Sequence, residues 1–295
     1  MKNKAYVFAL TASLLWGSSA AIVKLLLKNL NSLQILLYAS LFASITLFLI
    51  VVFQNKFSII RSYKIKDYLR FAYMGFIGVF LYYFFLYLAL SYLKAQEAFI
   101  INYLWPIMIV IFAVPILGEK FTTKKTVAIL LSFIGVVIIA TQGNLQQLHF
   151  AKPLGVILAV IAAVSYAIFS VLGKKQNDDK TTSMMFYYIF TFVYTLIAVK
   201  IFGFIPHVVG IQLIGLLWTG VFTSGGAFLL WFLALKYGDT TKIANIAFLT
   251  PFFSLIYIYF LLHEKIQIYS IIGLIFICIG IFIQNRKSLP VDTKL

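Results

Sequence analysis

The segment Glu97-Ala98-Phe99-Ile100-Ile101-Asn102-Tyr103-Leu104-Trp105-Pro106 holds the residue types best suited to chemistry in this chain. It lies in an apolar run, where an unpaired amide costs a few kcal/mol, so Asn102 must face another helix or a wet cavity. Asn102 and Trp105 are three apart and share a helical face, and Glu97 sits two turns before Trp105 on nearly the same one. Pro106 removes a backbone hydrogen bond and bends the helix. Such a face binds a small solute rather than supplying a nucleophile and its base. Tyr103 is two residues from Trp105, which in a regular helix points them about 200° apart. Either the bend reorients one, or one faces a neighbouring helix. Glu97 has two readings: a proton relay, or a pair with Lys94 or Lys24.

Further candidates are Trp16 with Ser19, Tyr82, Tyr166 with Ser170, Ser224 with Trp231, and Asn245. Together they predict an aromatic-walled, mostly apolar cavity carrying a few hydroxyl and amide groups. That suits a small amphipathic or planar solute better than a bare ion. For any one of these side chains, plain helix packing is the alternative. Enzyme chemistry is not expected, since no P-loop, HExxH, GxSxG or paired carboxylates lie within a span. His149, His207 and His263 are far apart, and Cys278 is the single cysteine, so neither a metal site, a cofactor nor an internal disulfide is expected.

The elements that position these residues are legible from composition. Of 295 residues, 63% are hydrophobic and 11% charged, with a mean hydropathy of +1.01. A soluble domain of this size could not hide that much apolar surface, so the bilayer is its solvent. Ten apolar stretches are expected to cross: 6–27, 32–53, 68–90, 95–117, 126–141, 153–172, 182–202, 210–235, 243–262 and 268–284. All should be helices, because each must satisfy its own backbone in lipid. Lys2 and Lys4 precede the first stretch, and Ser18-Ser19-Ala20-Ala21 faintly resembles a cleavage site. Trp16 and Lys24 fit a cleaved signal poorly, so the stretch is read as a span.

Charge sets the orientation. With the N-terminus cytoplasmic, that side holds the basic gaps around Lys56–Arg70, Lys120–Lys125, Lys174–Lys180 and Lys236–Lys242. The other side holds only Lys28, Lys94, Lys152 and Lys265. This bias places both termini in the cytoplasm. It also accounts for the net charge of +16 without a nucleic-acid partner, for which no basic face or motif is present. The low-charge, Lys-, Phe- and Ile-rich composition points to an AT-rich bacterial genome, and the bacterial cytoplasmic (inner) membrane is the expected location.

The chain also resembles itself. Leu88-Ala89-Leu90-Ser91-Tyr92 reappears as Leu233-Ala234-Leu235-Lys236-Tyr237, and one offset of 145 carries Gly75, Pro106, Glu119 and Gly135 onto Gly220, Pro251, Glu264 and Gly280. Trp16 and Lys24 match Tyr166 and Lys174 with an offset of 150. The expected fold is therefore all-α: two five-helix repeats, 1–145 and 150–287, with 288–295 a short cytoplasmic tail. An odd number of crossings inverts the second repeat about a central cavity. Pro106 and Pro251, matched in the two repeats, are the expected hinges. Glu119 and Glu264, each beside a lysine, are expected to cap or pair locally.

Pro106 followed by Gly118-Glu119-Lys120, and Pro251 followed by His263-Glu264-Lys265, resemble the drug/metabolite transporter superfamily of the EamA type over nearly the whole chain. Asn102-Tyr103-Leu104-Trp105-Pro106, with Glu97 nine before the proline, is similar more narrowly to the aromatic amino acid exporter branch. The resemblance implies an integral carrier whose cavity aromatics fall on Trp16, Tyr82, Tyr103, Trp105 and Tyr166, the last standing where a Trp is often seen. It implies export of aromatic or other neutral amino acids, or similar small metabolites, by alternating access. Uptake or exchange of a nucleotide-linked or cofactor-like metabolite is the alternative. An anionic solute would want several cavity-facing Lys or Arg, and only Lys24 is available.

Overall fold

A computed structural model describes residues 2–93, 98, 101–120, 122–141, 143–147, 152–262 and 268–285; a few side chains within the helices, Lys24 among them, fall outside that description. Every regular element among the described residues is helical. The first half contributes α1 (Lys2–Leu26), α2 (Ser32–Phe53) and the short α3 (Phe57–Ser62). A longer rod follows, made of α4 (Ile65–Gly75), a π-helical segment (Phe76–Leu81) and α5 (Tyr82–Tyr92). Then come α6 (Trp105–Leu117) and α7 (Thr123–Thr141). The second half contributes α8 (Pro153–Lys175), α9 (Lys180–Phe202) and a rod made of α10 (Ile211–Trp218), a π-helical segment (Thr219–Gly226) and α11 (Ala227–Tyr237). It ends with α12 (Thr240–Ala247), α13 (Thr250–Leu262) and α14 (Ile268–Asn285). Seven helical stretches among the described residues are long and apolar enough to cross a membrane, and Trp105–Leu117 and Ile271–Ile283 are shorter apolar helices.

The prolines act differently from the expected mid-helix bend. The helix breaks before each one, with Leu104 N–H bonded to Ile101 O at 3.0 Å and Leu249 N–H to Ile246 O at 3.0 Å. Helical bonding then resumes, from Met108 N–H to Leu104 O and from Phe253 N–H to Leu249 O. Pro106 and Pro251 therefore sit in the first turn of α6 and α13, where a missing N–H leaves nothing unpaired. The two breaks match bond for bond at the offset of 145.

The halves interlock. The first helix of each packs on the third and fourth elements of the other: α1 on α11 and α13, α8 on α5 and α6. The second helices α2 and α9 pair, as do the last, α7 and α14. In lipid such contacts rest on close packing rather than on hydrophobic burial between helices. Glycine allows the closest approach. A Cβ at Gly273 would lie 2.5 Å from Gly135 O, and one at Gly280 would lie 2.5 Å from Ala128 O.

Polar caps fix the helix ends. Asn31 and Gln34 form a reciprocal capping box at the start of α2. Asp179 caps α9, accepting from the Thr181 and Thr182 backbone N–H groups at 3.1 Å, and Lys56 Nζ reaches its Oδ2 at 2.6 Å. Burial opposes its charge, but the Lys56 bond and the two backbone N–H bonds outweigh it and hold the Asp179 carboxyl below its ordinary value. The charged cap is thus fully stabilising at neutral pH, and its contribution fades only as pH falls below the ordinary carboxylate range. Asp179→Ala should cost about 1–2 kcal/mol. In detergent melts this loss should be present at pH 7 and smaller near pH 3; an equal loss at both would mean the charge is irrelevant.

Candidate functional site

Two local features shape the centre. In each long rod the helix widens to π geometry at matching places, Phe76–Leu81 and Thr219–Gly226. Such segments free carbonyls and are frequent at functional sites. Both freed edges receive donors from the opposite half. Trp16 Nε1 donates to Thr223 O at 3.1 Å, and Ser165 Oγ donates to Ile77 O. The second feature is the pair of helix breaks, which puts Trp105 at the head of α6 with its ring aimed inward and 5% exposed.

These elements bring four of the expected aromatics into one cluster. Trp105 meets Tyr166 at 5.0 Å, Trp231 at 5.2 Å and Trp16 at 6.2 Å between ring centres, all edge to face. Trp16 also meets Trp231 at 5.5 Å and Tyr166 at 6.2 Å. Trp16 and Trp105 belong to the first half, Tyr166 and Trp231 to the second, so the cluster is the seam between them. Such pairs add about 0.5–1.5 kcal/mol each beyond burial. Phe228, which sequence reasoning passed over, completes it at 5.4 Å from Trp16 and 5.7 Å from Tyr166. Phe is so common in this chain that only its place four residues after Ser224 and three before Trp231 could have singled it out.

The polar groups lie around that core. Trp231 Nε1 donates to Ser170 Oγ at 3.2 Å. Tyr82 stacks obliquely on Tyr166 at 4.9 Å, and its hydroxyl accepts from Asn102 Nδ2 at 3.3 Å. Among the described residues that leaves the buried Asn102 Oδ1 as an acceptor without a donor. Among the described residues, too, the Tyr166 hydroxyl makes no hydrogen bond of ordinary length, although Ser170 is near it. A solute donating N–H or O–H hydrogens could satisfy both. Asn245 is fully buried in α12, the helix that packs on α6. Tyr103 stands on the break itself, half-buried, packed against the core that holds these rings and with its hydroxyl within electrostatic reach of Tyr82. Ser19 is half-buried in α1. Glu97, Glu264, His149, His263 and the Lys24 side chain lie outside the described residues. Among the described residues no group of His, Cys, Asp and Glu is arranged to hold a metal ion.

Glu119 departs from expectation. Rather than capping or pairing only locally, it reaches across the halves to Lys174 Nζ at 3.1 Å, and Thr240 donates its hydroxyl to the same Oε1. The adjacent Lys120 is exposed, and Gly118, in a left-handed conformation at φ 69°, ends α6 just before the pair.

Known proteins share this organisation. The sequence pattern of the EamA-like transporter family matches residues 3–141 and again 153–286. An uncharacterized transporter of Archaeoglobus fulgidus is 25% identical over 98% of this chain and 99% of its own length. The aromatic amino acid exporter YddG of Ancylobacter novellus is 25% identical over 60% of this chain and 62% of its own. One solved crystal structure superposes with a TM-score of 0.87 at 19% identity, covering 97% of both chains, and shows the same fold.

Proposed function

Because the chain belongs to the EamA-like transporter family, and so is a multi-pass membrane protein that moves small molecules, we propose that it is a secondary carrier exporting neutral amino acids, aromatic ones first, or similar small metabolites. In this reading ten helices form two inverted five-helix repeats, 1–145 and 150–287, that rock about the aromatic seam. The breaks before Pro106 and Pro251 serve as hinges. Both termini face the cytoplasm of a bacterial cell, following the basic loops.

The observation that carries the proposal is the seam itself. Trp16 and Trp105 from one half interleave with Tyr166 and Trp231 from the other, so any movement between halves must part these rings. Parted, they present flat apolar faces beside Asn102 and Tyr82, which together fit a planar side chain and a polar head. The matched helix breaks, matched π segments and reciprocal helix packing support the repeat reading. The exporter named among the relatives supports the solute class.

Counterflow in proteoliposomes tests it. Vesicles loaded with unlabelled amino acids should take up labelled Phe or Trp saturably, and Asn102→Ala should alter the ranking among Phe, Trp, Met, Leu and Thr. Absence of counterflow for every amino acid, from folded protein, would overturn the amino-acid reading. The same vesicles under an imposed pH gradient test Glu97 and Lys24 as coupling groups: uptake indifferent to the gradient would remove that role.

A further inference from the structure

At the basic-loop end of the bundle, a second cluster lies apart from the aromatic seam. Glu119 follows α6 and Lys125 lies in α7, both in the first half. Lys174 ends α8, and Asp239 and Thr240 open α12, all in the second half. Lys174 Nζ is held by three acceptors: Glu119 Oε1 at 3.1 Å, Gly238 O at 3.0 Å and Thr240 Oγ1 at 2.6 Å. Thr240 in turn donates to that Glu119 oxygen. Lys125 Nζ stands 3.8 Å from Glu119 Oε2 and 3.6 Å from Asp239 Oδ2. Among the described residues four ion pairs link the first half to the second; Glu119 to Lys174 and Lys125 to Asp239 run through this cluster, while Lys56 to Asp179 and Arg70 to Asp178 lie elsewhere. The Lys174 and Glu119 side chains keep only 18% and 19% of their exposure.

We propose that this cluster is a latch holding the basic-face end of the transport path shut, with Glu119 and Lys174 as positioning residues of the transport cycle. The proposal rests on the alternating-access reading. It joins the ends of α6, α8 and α12, the helices that carry Trp105, Tyr166 and Asn245 in the centre. Lys174 is eight residues beyond Tyr166 in one helix, about 12 Å along the axis, so release at the latch is transmitted to the seam by a rigid rod. Parting the pair takes Lys174 from the one carboxylate it meets among the described residues and leaves Glu119 with Lys125 at 3.8 Å; uncovering half-buried charges is costly, which makes the latch two-state rather than gradually loosened. Opening requires Lys174 and Glu119 to part and each to be taken up by water. Thr240 tunes the latch by sharing the same carboxylate oxygen.

The test uses the full chain in lipid nanodiscs, where reagent reaches both faces and no substrate is needed. Cys278→Ser removes the native thiol, and Ala244→Cys places a reporter at a fully buried position of α12, about one turn past the latch. Labelling by an impermeant maleimide should be slow. Glu119→Gln and Lys174→Gln should each speed it by about tenfold, equivalent to about 1.4 kcal/mol in the open–closed balance. The exchanged pair Glu119→Lys with Lys174→Glu should return it to within about twofold of the parent, a rescue that mere loosening would not give. Asp179→Asn, in a different ion pair at the same end, should leave labelling unchanged. Unaltered labelling in the folded single variants overturns the latch, as does an exchanged pair that stays fast or an Asp179→Asn as fast as Glu119→Gln. Counterflow, run in parallel, separates the two claims. Latch variants that label fast in a protein moving no amino acid support the latch and sink only the solute; unchanged labelling in an active carrier sinks only the latch.

Discussion

Replacing Trp105 with alanine should lower counterflow of planar amino acids by about a hundredfold. Trp105 touches Trp16, Tyr166 and Trp231. Three ring partners at about 1 kcal/mol each amount to about 3 kcal/mol, and every 1.4 kcal/mol is tenfold. In the proposed carrier the same faces receive the solute when the halves part, so the loss is expected to fall on binding as well as on the closed seam. Alanine also leaves a cavity, and a buried Trp truncation costs about 3–5 kcal/mol of stability. Trp105→Phe separates the two effects, because it keeps an aromatic face and most of the volume. It should melt close to the parent, transport Phe within about threefold and discriminate less among aromatic solutes. Parent-like rates and ranking in both variants, in folded protein, would remove Trp105 from the site.

The largest structural effect is expected at the crossing of α7 and α14. A Cβ at Gly273 would stand 2.5 Å from Gly135 O and 2.6 Å from Ile139 Cγ1. The first neighbour is backbone and cannot turn away, so the helices must separate. Gly273→Val should cost about 3 kcal/mol, at the upper end of overpacking, since the whole interface lengthens. Lost contacts in lipid are not repaid by hydrophobic burial. Folded yield and melting temperature in detergent measure this. Gly203→Ala is the matched comparison: its backbone is extended, and the added Cβ would meet only Val199 O at 3.6 Å. A Gly273→Val protein as stable as Gly203→Ala would show that the crossing is looser than drawn.

Legibility followed the range of the forces involved. The span 32–53 read from hydropathy is the helix Ser32–Phe53, because a helix in lipid closes its hydrogen bonds within itself. Trp16, Trp105 and Tyr166 read as mid-span aromatics and Trp231 as a further candidate, and the four rings meet. Asn102 was recognisable as a buried amide in need of a partner; that the partner is Tyr82 was not. Tyr103 shows the limit: its type matches the others, but it sits on the break at 103–104, where regular helical spacing no longer says which way a side chain faces.

The sequence alone determined the apolar spans, the internal repeat, the charge asymmetry of the loops and the family, since each depends on residue type and on spacing along one strand of chain. Tertiary structure decided which side chains meet across that spacing. Phe228 enters the cluster because α11 packs on α1, and Glu119 meets Lys174 across the halves because α6 packs on α8. Helix crossings and helix breaks set those meetings, and both arise from packing between segments far apart in the chain, which no local pattern encodes.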